Sequence, residues 1–207
     1  MEWTEKDAKA LRKWIEYIDS DDIRLKERIK NELIKNKDII HLLHNVDLEE
    51  QDASPGDYYG INILPYYVFP QDITTQHNAR NLLCFETQWT EEPRYNTRMK
   101  YQQVVFYIVC HIDDAIDQDT MLARHDLIAA LLTDQFNWTN ILGNKVRCVS
   151  SRPSLSDNKY VTRTLIFQQT TDNNLVKTPK LGVPRLANKD IVLETEYSDE
   201  EEIPVSG

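Results

Sequence analysis

The pattern of apolar and polar positions predicts helices at the start of the chain. In residues 1–45 apolar side chains recur every three or four positions, as they do along one face of a helix. Thr4 with Asp7 predicts a helix N-cap, and the acidic break at residues 19–22 predicts a second one. We expect two amphipathic helices and a third short one over Asp38–His44, packed on the body of the protein or on a neighbouring subunit.

The next segment contains turn and loop signals. Residues 47–60 are polar and predict a linker that ends in a turn. Residues 61–70 are apolar but contain Pro65 and Pro70, and proline is excluded from central strands. We therefore expect an extended edge or wrapping segment there, followed by a polar loop.

From residue 81 the pattern predicts strands, with one long helix between them. The predicted strands are Asn81–Trp89, Lys100–Ile112, Lys145–Val149 and Lys159–Gln168. The second is apolar on both faces, which is typical of a strand in the middle of a sheet. The helix covers Met121–Phe136, residues 137–140 and Gly143 end it, and a turn runs through Pro153. The order β–β–α–β–β predicts an α+β fold, in which helices back an antiparallel sheet of four to five strands.

The acidic charge is concentrated at the end of the chain. The net charge is −10, from 24 Lys and Arg against 34 Asp and Glu, and residues 194–207 contain six of the carboxylates and no basic residue. Without those six charges the body has a net charge of only −4. After Thr170 periodicity is lost, which fits a disordered tail or an arm that orders against a partner. We predict an N-terminal helical segment over 1–46, an α+β core over 47–170 and an extended arm over 171–207.

Composition excludes several classes of protein. The five glycines are not spaced for a dinucleotide fingerprint or a phosphate loop, and no basic stripe favours sequence-specific nucleic acid binding. No apolar stretch approaches the ~20 residues that span a bilayer, and the first residues do not resemble a signal peptide. We expect a soluble protein with no membrane partner. Cys84, Cys110 and Cys148 each lie in an apolar run, which predicts buried thiols rather than a disulfide or metal framework.

The densest set of possible metal ligands follows the second predicted strand. His111, Asp113, Asp114, Asp117 and Asp119 lie within nine residues, and oxygen ligands on a loop suit Mg²⁺ or Ca²⁺. A metal-dependent hydrolase that uses this loop is therefore an alternative function. The spacing is not that of an EF-hand, and carboxylates before a helix also cap its free N–H groups. We expect capping and solvation of these carboxylates, no catalytic residue and no cofactor, and we retain Asp113, Asp117 and Asp119 as metal candidates.

Histidines and charges near helices offer further candidates. His125 and Asp126 do not face each other as a base and its orienting carboxylate, because adjacent helical residues diverge by about 100°. His41 and His44 lie three apart, a spacing that suits a metal, but we expect no carboxylate or third ligand nearby and therefore surface or interface residues. The candidates for helix–sheet geometry or subunit contacts are Arg124, His125, Asp126, Phe136, Trp138 and Arg163.

One stretch combines an apolar strand, an acidic loop, a helix rich in leucine and alanine, and a final strand. The segments that carry this pattern are Val104–His111, Ala123–Leu132, Gln135–Gly143, Ser156–Asn158 and Tyr160–Phe167. Together, residues 104–177 resemble small neck and tail-completion proteins of tailed bacteriophages, including those of crAss-like gut phages. The element order is also similar to the tail-terminator fold, in which subunits form a ring.

The resemblance implies a structural protein of the virion, made in the host cytoplasm and located at the head–tail junction. It implies self-association into a ring of six or twelve copies that docks on other neck, portal or tail proteins. A third possibility comes from the residues alone, namely a regulator that mimics DNA with its acidic tail.

Overall fold

The computed structural model of the protein describes residues 4–17, 21–68, 81–91, 99–157 and 159–172. The helices are α1 (Glu5–Tyr17), α2 (Asp21–Lys35), α3 (Lys37–Leu43), α4 (Val46–Glu50) and α5 (Arg124–Phe136). The strands are β1 (Ile63–Leu64), β2 (Asn81–Glu91), β3 (Met99–His111), β4 (Arg147–Asp157) and β5 (Tyr160–Asp172). The chain divides into a large compact unit, Asp21–Asn173, and a smaller one that includes α1. The boundary predicted at residue 46 lies inside the large unit, and the predicted arm lies outside the described residues beyond β5.

The start of α1 is capped as the sequence predicts. The hydroxyl of Thr4 donates a hydrogen bond of 2.6 Å to a carboxylate oxygen of Asp7, and the backbone N–H of Asp7 lies 3.4 Å from the Thr4 hydroxyl oxygen. This pair satisfies polar groups that the first helical turn leaves without intrahelical partners. An exposed ion pair of 2.8 Å joins Glu5 and Lys9 one turn apart.

The large unit has the predicted α+β fold. Its five strands lie in the order β1-β2-β3-β5-β4, and β3 is the central strand, as its apolar sequence indicates. Neighbouring strands are antiparallel, except that the short β1 runs parallel to β2. The sheet is therefore not wholly antiparallel, which the alternation of side chains could not reveal because it is the same for both directions. Ile63 and Leu64 lie at the sheet edge, as predicted, and the remainder of that predicted segment forms no strand in its described part.

Helices cover one face of this sheet and form the main core with it. Four phenylalanines at the centre are completely buried, and Phe106 lies between the others at ring distances of 5.5–6.2 Å. The cluster consists of Phe85, Phe106, Phe136 and Phe167. α2 contributes Leu25, Ile29 and Leu33, spaced by one turn. A smaller apolar cluster lies on the opposite face around Cys84 and Val109.

The predicted linker over residues 47–60 contains two short helices. The side chain of Asn45 caps α4 by accepting a hydrogen bond from Leu48 N. This helix of five residues was not predicted, because its sequence is mostly polar and too short to show an apolar stripe. A 3₁₀ turn follows at Pro55–Tyr58, where the side chain and N–H of Ser54 bond to Asp57 at 2.8–2.9 Å. The predicted polar linker is therefore partly helical, because local capping stabilises helices too short to show periodicity.

One of two expected breaks lies elsewhere in the structure. Pro153 lies within β4, which continues to Asp157 instead of ending at residue 149. The strand tolerates proline because β4 is the edge strand and pairs with β5 only. Helix α5 ends where the sequence predicts, because its C-cap Asn137 has an extended backbone and Trp138 follows with φ of 61°, while Gly143 lies farther along the loop.

Candidate functional site

The loop that connects β3 to α5 contains most of the predicted metal-ligand candidates, and backbone hydrogen bonds join its two ends. It covers residues 112–123 and begins with a 3₁₀ turn. Ile116 and Ala123 form an isolated antiparallel bridge, and Asp117 N donates to Leu122 O at 2.8 Å. The N–H of Arg124 donates to Ala115 O, also at 2.8 Å. Because these bonds hold residues 121–123 in the loop, α5 begins at Arg124 and not at the predicted Met121.

Two of the four carboxylates of this loop, Asp114 and Asp117, turn inward toward Arg124. This arginine is only 4% exposed, and its Nη1 lies 3.1 Å from Oδ1 of Asp117. Its Nε lies 3.5 Å from Oδ1 of Asp114, so both contacts are ion pairs rather than aligned hydrogen bonds. The predicted helix capping by this loop is wrong, because the N-cap of α5 is Ala123, which makes no side-chain cap. The two buried carboxylates neutralise Arg124 instead.

Asp114 also binds groups from distant parts of the chain. One oxygen lies 2.9 Å from Nδ1 of His44, and Asn81 Nδ2 donates to the same oxygen at 2.7 Å. Asn81 Nδ2 also donates to Leu43 O at 3.2 Å, which connects the α3 end to β2. Asn62 Nδ2 donates to the Asn81 carbonyl at 2.9 Å. A buried polar network therefore holds the loop against α3 and the sheet.

Asp117 is held by its own loop as well as by Arg124. Its Oδ2 accepts bonds from the Thr120 hydroxyl at 2.7 Å and from the Thr120 N–H at 3.0 Å. The hydroxyl bond, and then the backbone bond and the Arg124 charge, lower the pKa of this buried carboxyl below its ordinary value, although burial acts in the opposite direction. Asp117 therefore stays ionised.

The outer side of the same loop is apolar and exposed. Met121 is 73% exposed and has a left-handed backbone with φ of 59°, which bulky residues rarely adopt. Ile112, Ile116 and Leu122 are each more than half exposed. The loop thus buries two of its four carboxylates and exposes hydrophobic side chains beside the other two, which is unusual for residues of either kind.

A second group of side chains at this loop includes a histidine from α3. His41 Nε2 lies 3.5 Å from Oδ2 of the exposed Asp119, and ligand atoms of His41, Asp117 and Asp119 all lie within 4.8 Å of one another. The expectation that no carboxylate lies near His41 and His44 is wrong, because both partners come from a loop far along the sequence. Such a set of oxygen and imidazole ligands fits a divalent cation. Asp117 is a poor ligand, however, because Arg124 and Thr120 already occupy its oxygens.

The other metal candidates lie apart from this group. Asp113 is exposed, and its Oδ2 lies 3.5 Å from Nδ1 of His111. His111 also packs edge-on against the ring of Tyr160 at 5.2 Å. The structure therefore brings Asp117 and Asp119 together with His41, and it places Asp113 beside His111.

An open groove of about 640 Å³ runs along α5, with Asp126 and Arg163 among its lining residues. Arg163 Nε donates to Asp126 Oδ1 at 2.8 Å, and its Nη1 donates to the Ser151 hydroxyl at 2.8 Å, so this pair connects α5 to β4 and β5. His125 Nε2 lies 3.4 Å from the same Asp126 oxygen, so the expectation that these two side chains do not face each other is wrong. Burial lowers the pKa of His125, and the Asp126 charge opposes that shift only in part.

The last two candidates lie at the C-terminal end of α5 in opposite environments. Phe136 is in the central core and completely buried, whereas Trp138 is 64% exposed. Lys145 Nζ lies 5.0 Å from the centre of the Trp138 ring. Only Trp138 of this pair is available to a partner.

The sequence prediction missed the contributions of His44, Asn62 and Asn81 to the buried network. A signal was present, because Asn62 lies between two isoleucines and Asn81 begins an apolar strand. A buried amide requires hydrogen-bonding partners, so an asparagine within an apolar run indicates a polar network.

The described part of the chain contains no helix that is long and apolar enough to cross a membrane. No curated protein matches the chain. The model of the YomW family matches residues 36–169, from the N-cap of α3 to β5, and thus includes the whole loop. The match covers more than half of the 207 residues. The chain therefore belongs to the YomW family, a phage-associated family named after a protein of the Bacillus phage SPbeta region.

Proposed function

We propose that the protein is a structural component of the phage particle that associates with itself and with neck, portal or tail proteins. A ring at the head–tail junction, of six or twelve copies, is the assembly that the sequence resemblance favours. The protein would then act by shape and contact, in the virion, after synthesis in the host cytoplasm.

The observation that carries this proposal is the group of exposed apolar side chains in the 112–123 loop. Met121 and Leu122 are 73% and 56% exposed, while Asp114 and Arg124 are buried. Exposed apolar side chains in a single loop mark a contact surface. Membership of a phage-associated family supports placing that surface in a phage assembly.

Two measurements test the proposal. Size-exclusion chromatography with light scattering is expected to show an oligomer of the purified protein, alone or with the portal protein of the same phage. Mass spectrometry of purified particles is expected to detect the protein in fixed ratio to the portal. A monomer that remains alone in the presence of portal, and that is absent from the particles, would overturn the proposal.

A metal-dependent hydrolase is the second candidate, and the His41, Asp117 and Asp119 group is the observation that favours it. Calorimetric titration with Mg²⁺, Mn²⁺, Ca²⁺ and Zn²⁺ tests it, with Asp119→Asn as the ligand variant and Asp113→Asn as the control. Binding that Asp119→Asn abolishes and Asp113→Asn retains would support a metal site. Equal heat signals from the wild type and both variants, or no signal at millimolar metal, would rule out this metal site.

A further inference from the structure

A second exposed apolar surface lies at the opposite end of α5 from the 112–123 loop. α5 has 13 residues, so its two ends are about 20 Å apart. At the far end, the loop over residues 137–146 exposes Trp138 and Ile141, which are 64% and 36% accessible. Trp138 has a left-handed backbone with φ of 61°, like Met121 with φ of 59° at the near end. A bulky residue in this conformation costs about 1–2 kcal/mol and indicates a functional constraint.

The two surfaces differ in charge. We call residues 112–123 the apolar–acidic surface, because Asp113 and Asp119 have exposed side chains there and the loop contains no Lys or Arg. We call residues 137–146 the apolar–basic surface, because Lys145 lies over the Trp138 ring and the loop contains no Asp or Glu. The exposed Arg28 of α2 adds a second positive charge, since its Nη1 donates to Leu142 O at 3.0 Å.

We infer that the apolar–acidic surface of one copy binds the apolar–basic surface of the next copy of this chain. Each surface has large apolar side chains, and the charges beside them are negative on one surface and positive on the other. Apolar contacts surrounded by opposite charges are typical of a specific interface. Contact between two different surfaces is heterologous, and it propagates from copy to copy until a ring closes. This inference rests on the proposed self-association and names the surfaces responsible for it.

Two aspartate variants, each blocking one surface, test the head-to-tail arrangement. Met121→Asp blocks the apolar–acidic surface and Trp138→Asp blocks the apolar–basic one, and aspartate tolerates the left-handed backbone at both positions. Ile23→Asp is the matched control, because Ile23 is 40% exposed in the first turn of α2 and outside both surfaces. By light scattering we expect wild type and control to form the oligomer, and each blocked variant to bind itself at least about tenfold more weakly.

Mixing the two blocked variants gives the decisive result. The intact apolar–acidic surface of Trp138→Asp meets the intact apolar–basic surface of Met121→Asp, so we expect a 1:1 heterodimer that does not grow. A contact between identical surfaces would instead let one of the blocked variants dimerise alone, and that result would overturn the inference.

Further outcomes separate this inference from the proposed function. If the wild type is a monomer at every concentration, both alone and with the portal protein, the result argues against self-association itself. An oligomeric wild type whose blocked variants both assemble normally leaves self-association standing and overturns the choice of surfaces. Circular dichroism melting checks that each variant folds. If an aspartate variant does not fold, the exposed charges provide the test. Asp119→Lys and Lys145→Glu are each expected to weaken association, and the double variant to restore it, whereas no recovery would count against the pairing.

Discussion

Replacement of Arg124 by methionine is expected to destabilise the large unit strongly. The arginine is 4% exposed and lies within ion-pair distance of two carboxylates, Asp114 and Asp117. Methionine fills a similar volume without charge, so the variant leaves both carboxylates buried without their cation. Removal of one member of a buried ion pair costs about 3–5 kcal/mol.

The structure places the loss at the lower end of that range. Asp114 retains its contacts with His44 and Asn81, and Asp117 retains both bonds from Thr120. We therefore expect a decrease of about 3 kcal/mol in the free energy of unfolding, a large fraction of the 5–15 kcal/mol typical of a domain. Urea unfolding followed by circular dichroism at pH 7 measures it, with agreement between probes as the check for a two-state transition.

A matched arginine and a double variant make the experiment specific. Arg163→Met removes a partly exposed ion pair with Asp126, and it is expected to cost less than about 1 kcal/mol. Arg124→Met combined with Asp117→Asn removes a buried charge while the asparagine oxygen still accepts from Thr120, so about 1–2 kcal/mol of the loss is expected to return. The reasoning is refuted if Arg124→Met costs no more than Arg163→Met, or if the double variant is no more stable than Arg124→Met alone.

Three further results are expected. Thr120→Val removes the main cause of the low pKa of Asp117, so stability at pH 7 falls by about 1–2 kcal/mol in urea unfolding. The stability that this low pKa contributes is fully present above the ordinary carboxyl pKa of 3.8, and it is lost as pH falls through the lower pKa of Asp117 in the folded protein. Because Thr120→Val has already lost most of this contribution, its free energy of unfolding decreases less on acidification than that of the wild type. His125→Gln flattens the decline in melting temperature below pH 6.5, because burial lowers the pKa of His125 in the folded state. Burial raises the thiol pKa of Cys84 to about 11 and of Cys110 to about 12, so at pH 8 mass-mapped Ellman labelling of both is slow unless the protein unfolds.

The arrangement of the sheet and its main helix was predictable because each strand carries its own pattern. β3 is apolar on both faces and β5 alternates, so their central and half-buried positions follow from side-chain periodicity alone. The parallel pairing of β1 was not predictable, because a two-residue strand has no period and direction leaves no trace in alternation. α4 was missed for the same reason, since its stability comes from the Asn45 cap rather than from an apolar stripe.

The chemistry of the candidate site was predictable only in residue type. The acidic loop stood out as a cluster, but its spacing could not show that Asp114 and Asp117 turn inward while Asp119 turns outward. That difference depends on Arg124 entering the loop from α5 and on His44 arriving from α3, 70 positions before Asp114. Contacts between segments that are distant in sequence determine which carboxylates are buried in ion pairs and which are exposed to solvent.

The buried ion pairs of the loop are better explained by positioning than by stability. A buried Arg–Asp group rarely exceeds the stability of well-packed apolar residues of the same volume, because the cost of removing charges from water offsets their attraction. The hydrogen bonds that Asn81 and Thr120 donate to these carboxylates are directional, however, and they hold one loop conformation, with Met121 and Leu122 exposed. A surface held in its binding conformation loses less conformational entropy on association, so more of the apolar contact remains as affinity. The charges inside the loop and the hydrophobic side chains outside it are therefore two parts of the same arrangement, which favours assembly over catalysis as the role of this site.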